Sequence, residues 1–350
     1  MQKLTDGNIN IITHKGTRVI TLDELINEYN IDTDLWEALD FKPNIWETPI
    51  SNKTTWEITL VQNHQTKVHF VRKTPIEFEE FASVANRVVN SKEYPVREYP
   101  SNQDKLMGVI KLADLHIDKL DLKSTPIKKK IKMYNNAIEE VLEDYDKFGM
   151  DKIAIVNLGD YYNTDVNNAT TKGTQQQWNA SEMDAWHLWI EFMMDNILKA
   201  QQVAPVEFIT TPWNHDEYKS AYLHTVILKA IGQHPNITVR DQANVREYLK
   251  WWNSLIWFTH WHTAKAKDLP WLMLRDAKQD GIKYRYFDKW HSHQIAIENM
   301  QGMEIVTNPA GGWMNAWSDG LGVDKSNYKI ACDVYNKTNG KIFTKYQPVR

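Results

Sequence analysis

Several short groups of residues carry side chains suited to metal-assisted hydrolysis, and most of them follow an apolar run. MGVIKLA (107–113) leads into Asp114-Leu115-His116, IAIVNL (153–158) into Gly159-Asp160, and SLIWFT (254–259) into His260-Trp261-His262. VEFIT (206–210) precedes Asn214-His215-Asp216, a later turn carries His291-Ser292-His293, and MEIVT (303–307) ends in Asn308-Pro309-Ala310-Gly311. Taken singly, D-x-H or H-x-H is a common pattern on surfaces and in cores. Taken in this order at successive strand ends, the groups form a joint donor set of carboxylate, imidazole and amide. Such a mixture suits borderline divalent ions such as Mn, Fe or Zn rather than Ca or a thiolate site. It also exceeds what one tetrahedral ion needs, which points to a pair. Two ions about 3.5–4 Å apart clamp the attacking and leaving oxygens of a phosphoester. A carboxylate is the natural bridge between them.

The elements that must position these groups are legible from Leu106 onward, where strand, loop and amphipathic helix alternate, with long helices expected over Ile127–Phe148 and Ser181–Ala200. That alternation implies an α/β domain with its functional loops at the strand C-terminal ends. Residues 1–104 read as a separate module and linker, and 105–350 as the catalytic domain. Thr21 begins a capping-box pattern with Glu24, followed by Leu22, Leu25 and Ile26 at helical spacing. A second short helix is expected around Ile31 and Leu35, which makes a helix-turn-helix or a small structural module equally open. Thr54–Lys73 alternates as a β-hairpin turning near Asn63-His64, and the Pro-containing stretch Ser91–Lys105 reads as a linker.

The formal charge of -4 excludes a globally basic nucleic-acid binder, so any such binding must use a local patch or bound metal. Cys332 is the single cysteine, which excludes an intramolecular disulfide and favours a reducing compartment. The stretch MQKLTDGNIN lacks a basic-then-apolar leader pattern, and no apolar run reaches the ~18 residues of a membrane span. A cytoplasmic protein with no membrane partner is the expectation.

The ordered blocks resemble the calcineurin-like metallophosphoesterase superfamily, whose pattern is D-x-H, G-D, G-N-H-[DE], H-G-H, G-H-x-H, over about residues 106–320. The resemblance implies a four-layer sandwich, with two packed β-sheets flanked by helices, here carrying a small N-terminal α+β module. It implies two divalent metal ions, Mn first with Fe or Zn as options. Asp114, His116 and His293 would hold one ion, Asn214, His260 and His291 the other, and Asp160 would bridge them. His215 would act on the transition state or leaving oxygen, with Asp216 orienting it. The turn with Asn308 and Gly311 resembles the family's closing loop and, with His262, is a candidate for substrate contact. Asp118 and Asp165 read as solvated loop carboxylates, and His187 as structural.

Three glycines of that pattern are tryptophan here, at Trp213, Trp261 and Trp290, and Trp (15) outnumbers Gly (14) in the chain. Glycine at such turns permits left-handed backbone and close approach. Three accounts are open: rearranged loops with Trp rings as stacking platforms for bases, a degenerate site, or a UGA codon for glycine read as tryptophan. The third covers all three motifs and the Trp excess, and adds Trp252, Trp257 and Trp313 as suspects. Trp186 and Trp189, at helical spacing, read as core.

The Ala113–Asp118 form of the first block and the N-terminal module resemble the repair-exonuclease branch, and the whole chain resembles phage-encoded members. The expected function is a phosphodiesterase or nuclease with nucleic acid as partner, alone or as a homodimer. A small-molecule or protein phosphatase and a catalytically impaired DNA-binding scaffold are the alternatives.

Overall fold

The computed structural model describes residues 2–6, 9–16, 18–29, 31, 33, 36–51, 58–72, 78–91, 94–99, 103–121, 124–165, 169–176, 182–212, 215–260, 268–290, 295–309, 312 and 328–350. The chain divides into two compact units, Met1–Glu77 and Phe78–Arg350.

The first unit contains β1 (Gln2–Asp6), β2 (Ile9–Gly16), α1 (Leu22–Glu28), β3 (Trp36–Ser51) and β4 (Ile58–Arg72). The strands form one antiparallel sheet in the order β1-β2-β4-β3. The capping box at α1 is formed: the Glu24 amide donates to Thr21 Oγ1 at 3.2 Å, and the Thr21 amide donates to Glu24 Oε2 at 2.8 Å. Ile20, Leu25, Val68 and Phe70 make a small core between α1 and the sheet. One detail differs from the sequence expectation. β4 runs unbroken through Asn63-His64, because both faces of this stretch meet solvent and a polar pair there breaks no core pattern. Asn63 instead spans the ribbon, donating from Nδ2 to Thr48 Oγ1 at 2.8 Å. Among the described residues α1 is the unit's one helix. Of the second helix expected near Ile31 and Leu35, Asp32, Asp34 and Leu35 lie outside the described residues, and β3 begins at Trp36.

The second unit opens with α2 (Phe78–Ser91), so the unit boundary falls before the composition change near residue 104. The polar stretch after α2 is fastened to this unit. Tyr94 donates to Asp195 Oδ1 at 2.7 Å, Arg97 Nη1 donates to the Gln202 carbonyl at 2.9 Å, and Asn236 Nδ2 donates to the Arg97 carbonyl at 3.0 Å. Then follow β5 (Leu106–Leu112), α3 (Ile127–Phe148), β6 (Lys152–Asn157), α4 (Glu182–Ala200), β7 (Val206–Thr210), α5 (Glu217–Ile231) and β8 (Ile237–Val239). After these come β9 (Glu247–Trp251), β10 (Ser254–Thr259), α6 (Leu269–Asp276), β11 (Tyr284–Lys289), β12 (Ala296–Met300), β13 (Met303–Thr307), β14 (Lys329–Asn336) and β15 (Gly340–Pro348).

Two mixed sheets result, ordered β15-β14-β5-β6-β7-β8 and β12-β13-β11-β10-β9. β5 to β8 run parallel, as do β10, β11 and β13, so their C-terminal ends gather the loops. The period-2 alternation of strands decides which core each residue joins. Ile110, Leu112, Ile153 and Ile155 pack with residues of α3, α4 and α5. Their neighbours Met107, Val109, Ala154 and Val156 turn the other way and meet Ile256, Phe258 and Tyr286 of the second sheet. The opposite face of that sheet, through Leu255, Trp257, Phe287 and Ile305, packs with Met273 of α6. Trp186 and Trp189 lie in the helix-side core as their spacing implied. Trp257 is buried in mid-strand, with ring centroids 5.4 Å from Tyr248 and 4.7 Å from Phe287, which is the packing of a core tryptophan. Among the described residues no helix is long and apolar enough to cross a membrane.

Candidate metal centre

The parallel ladder between β5 and β6 continues past both strands into the loops that carry the first two motifs. Asp114 N donates to the Gly159 carbonyl at 3.2 Å, and His116 N donates to the Asp160 carbonyl at 3.1 Å. These bonds hold Asp114-Leu115-His116 beside Gly159-Asp160. Asp114, His116 and Asp160 all adopt left-handed backbone, with φ of 49°, 37° and 49°. Such conformers cost about 1–2 kcal/mol each for non-glycine residues, and they persist where surrounding structure holds them at a functional site.

The third and fourth motifs close on the same point. His215 N donates to Asp160 Oδ1 at 3.0 Å. His260, fully buried at the end of β10, reaches across from the second sheet. Its Nδ1 lies 2.9 Å from the Leu158 carbonyl, which fixes the proton on Nδ1 and turns Nε2 toward two carboxylates. That Nε2 stands 3.3 Å from Asp114 Oδ1 and 3.2 Å from Asp160 Oδ2. His116 and His215 meet edge to face, with centroids 4.8 Å apart. Two sets of donor atoms lie within 4.8 Å of one another: Asp114, Asp160 and His260, and His116, Asp160 and His215. Asp160 belongs to both groups.

The electrostatics fit a cation. Burial alone would raise the Asp160 carboxyl, yet His260, His215 and His116 hold it well below the usual carboxylate range. Burial alone would lower the His260 imidazole, yet Asp160 and Asp114 raise it to about 9. Two buried carboxylates and three imidazoles, with nitrogen and oxygen donors converging, are the chemistry that Mn, Fe or Zn takes. The residues present fit a divalent metal centre.

Asp216 is positioned differently from the expectation that it orients His215. Its carboxylate accepts from the backbone amides of Asp160, Tyr161 and Tyr162 at 3.2, 2.8 and 3.0 Å, and from Ser220 Oγ at 2.9 Å. It therefore shapes the loop that holds Asp160. Burial and the Asp160 charge push it up to about 8, against the pull of those donors. The His215 ring is oriented instead by the Asn163 carbonyl, 3.1 Å from Nδ1. Asp118 and Asp165 are buried rather than solvated. Asp118 accepts from Asn163 N at 2.7 Å, while Asp165 caps α5 by accepting from Lys219 N at 3.1 Å and from Tyr218 N at 3.2 Å. Asn308 is also fully buried, its amide taken up between the sheets by Asp288 and Lys111, so its side chain is turned away from any substrate.

Asn214, His262, His291, His293 and Gly311 lie outside the described residues, as do Trp213, Trp261 and Trp313. Two of the other suspect tryptophans differ sharply. Trp290 is 1% exposed, lies outside the positive-φ residues, and packs in the core between the sheets. Trp252, between β9 and β10, has φ of 51° and is 56% exposed, which is a glycine's environment. The sequence reading passed over Gly312. A Cβ built there would stand 2.2 Å from the Asp114 carbonyl oxygen, so the absence of a side chain lets this loop touch the first motif. The Gly311-Gly312 pair was the available signal.

No family model matches the sequence, and no curated protein matches it. Among solved structures, the chain is similar to the phosphoesterase Yfce from E. coli, with 12% identity, a TM-score of 0.33, and coverage of 69% of this chain and 100% of that one. It is similar to an archaeal phosphodiesterase at 10% identity and TM-score 0.35, covering 69% of this chain and 99% of the other. Vps29 from Entamoeba histolytica, complexed with zinc, matches at 11% identity and TM-score 0.30, covering 70% of this chain and 100% of the other. At such scores the likeness is one of partial shape, and the chemistry has to come from the residues themselves.

Proposed function

We propose that the chain is a metal-dependent phosphodiester hydrolase acting on nucleic acid through a two-metal site. The stack of α2–α5, two sheets and α6 would then be the four-layer metallophosphoesterase sandwich. Asp114, His116 and His293 would hold one ion, Asn214, His260 and His291 would hold the other, and Asp160 would serve both. The observation that supports this best is the convergence of Asp114, His116, Asp160 and His260, from three separate segments and both sheets, around Asp160, with His215 beside them as the proton donor.

When bound, two divalent ions would neutralise phosphoryl charge and bring the pKa of water near neutrality. The chain's own residues do the rest. Leu158 holds the His260 proton on Nδ1 and leaves Nε2 as the donor atom. The Asn163 carbonyl holds the His215 ring by Nδ1, so a protonated His215 has its Nε2 proton free to pass to the leaving oxygen. Asp216 grips three successive amides and keeps the Asp160 loop in its strained form. The first unit supports a nucleic-acid substrate less through its single described helix than through its ribbon, which exposes Phe41 and Trp46, aromatic faces on which bases stack.

Incubation with Mn²⁺ and single- or double-stranded DNA tests the assignment, with bis(p-nitrophenyl) phosphate beside them. Cleavage of DNA is expected. Hydrolysis of the small diester alone would overturn the substrate and favour a small-molecule enzyme. Neither Mn²⁺ binding nor turnover would leave a non-catalytic scaffold.

A further inference from the structure

Between the two sheets, Met107, Val109, Val156, Ile256 and Phe258 form an apolar core, and a buried charge lies at the end of β5 nearest the metal centre. There Lys111 enters from β5 with a side chain that is 0% exposed. Its Nζ lies 2.7 Å from Asp288 Oδ1 on β11, 2.7 Å from Asp333 Oδ2 on β14, and 3.4 Å from Asn308 Oδ1 at the end of β13. Asn308 Nδ2 donates to Asp288 Oδ1 at 2.8 Å, and its backbone amide donates to the Lys289 carbonyl at 2.9 Å. Thr344 and Tyr335 donate to the two Asp333 oxygens at 2.6 and 3.0 Å. The Trp290 ring lies over the ammonium, 5.8 Å from Nζ to its centroid.

A buried charge network is a poor device for stability, since desolvation consumes most of the Coulomb attraction and apolar replacements are often neutral or better. Met or Leu at 111 would continue the pattern of Met107 and Val109. Directional bonds supply what apolar contact lacks, a fixed slide and twist of one strand against another. The strands joined here are the ones that matter to the site. Lys111 precedes Asp114 by three residues, Asp288 precedes His291 by three, and Asn308 precedes by four Gly312, which stands against the Asp114 carbonyl.

We infer that the Lys111–Asp288–Asp333–Asn308 network is a positioning element that sets the ligand-bearing ends of the two sheets at the spacing a metal pair requires. The inference rests on the two-metal reading above. Burial would lower the lysine, but Asp288 and Asp333 raise it above its ordinary value. Lys111 therefore stays cationic, while burial and the Asp333 charge raise the Asp288 carboxyl against the pull of the lysine. Its members touch no substrate and act only through the loops that follow them.

The test is Mn²⁺ binding by the full chain, followed by isothermal titration and by electron paramagnetic resonance, with thermal midpoints recorded in parallel. Wild type is expected to take two Mn²⁺ with a spin-coupled signal. The triple variant Lys111→Met, Asp288→Asn, Asp333→Asn removes all three charges at similar volume, and should fold with a midpoint near wild type. Its weaker Mn²⁺ site should lose about 10–100-fold in affinity, the scale for residues that orient ligands from behind, and the coupled signal should vanish. Asp288→Asn alone keeps the Asn308 contact in shape and should move both readouts in the same direction. It carries the decision if the triple variant does not fold. A folded variant with wild-type affinity and an intact coupled signal would overturn the inference while leaving the two-metal reading standing. Wild type that binds no Mn²⁺ would overturn both.

Discussion

Trp290→Gly and Trp252→Gly should change stability in opposite directions, although the substitution is chemically the same. Trp290 is 1% exposed in the inter-sheet core and does not need a left-handed backbone. Removing a buried aromatic costs about 3–5 kcal/mol, and glycine adds up to about 1 kcal/mol through the unfolded chain. Against a margin of about 5–15 kcal/mol that is a severe loss. At about 2–4 °C per kcal/mol for a unit of this size, the midpoint should fall by roughly 6–24 °C. Trp252 is 56% exposed with φ of 51°. There glycine relieves about 1–2 kcal/mol of left-handed strain, offset in part by its entropy, so the midpoint should rise by about 1–4 °C. Differential scanning calorimetry on the metal-free chain reads both. A Trp290→Gly protein as stable as wild type would refute the assignment of that ring to the core. A gain at both positions would mark glycine as the residue both turns were shaped for. The gene then decides the origin of the tryptophans: UGG codons at 213, 261 and 290 end the misreading account.

Three further outcomes are expected. Asp160→Asn keeps the bond from His215 N but removes the shared charge, so turnover should drop about 10²–10³-fold or more; unchanged turnover on bis(p-nitrophenyl) phosphate would sink the bridging role. Gly312→Ala places a Cβ 2.2 Å from the Asp114 carbonyl oxygen, and should cost about 1–3 kcal/mol by overpacking together with weaker Mn²⁺ binding; wild-type melting and affinity would show that the loop yields freely. Burial holds His224 below its ordinary value of 6.5, against the opposing pull of the Arg240 carbonyl, 2.7 Å from Nε2. The unfolded chain therefore takes up this proton first, and the stability it contributes is present above pH 6.5 and falls as the pH drops below that value. Urea unfolding at pH 7.5 and 5.5 should show a smaller acid loss in His224→Gln than in wild type, and equal slopes would contradict the account.

The strands that bear the motifs were legible because each is an apolar run flanked by chemistry. VEFIT, SLIWFT and MEIVT occupy β7, β10 and β13 with the same ends, and the Ile127–Phe148 helix is α3 to the residue. β12, with four exposed residues before Met300, offered no such run. The ribbon of β3 and β4 misled because a strand open on both faces tolerates polar residues anywhere. The roles of Asp118, Asp165 and Asp216 could not be read locally. Their partners are the amides of segments 45 to 56 residues away, and a carboxylate that grips backbone looks like a solvated one until the chain is folded. Lys111 did carry a signal, a single charge inside MGVIKLA, but the nearest of its acceptors in sequence, Asp288, is 177 residues distant.

The bond from His260 to the Leu158 carbonyl joins residues 102 positions apart and belongs to both sheets at once. Until the second sheet has docked, the first sheet's loops lack that donor atom, and closure of so long a loop is a late, slow event. A metal ion therefore meets a competent site only in chains that have finished folding. Once there, it favours the native state by mass action, in proportion to the logarithm of its free concentration over its dissociation constant. Metal supply would then set the lifetime of the folded chain.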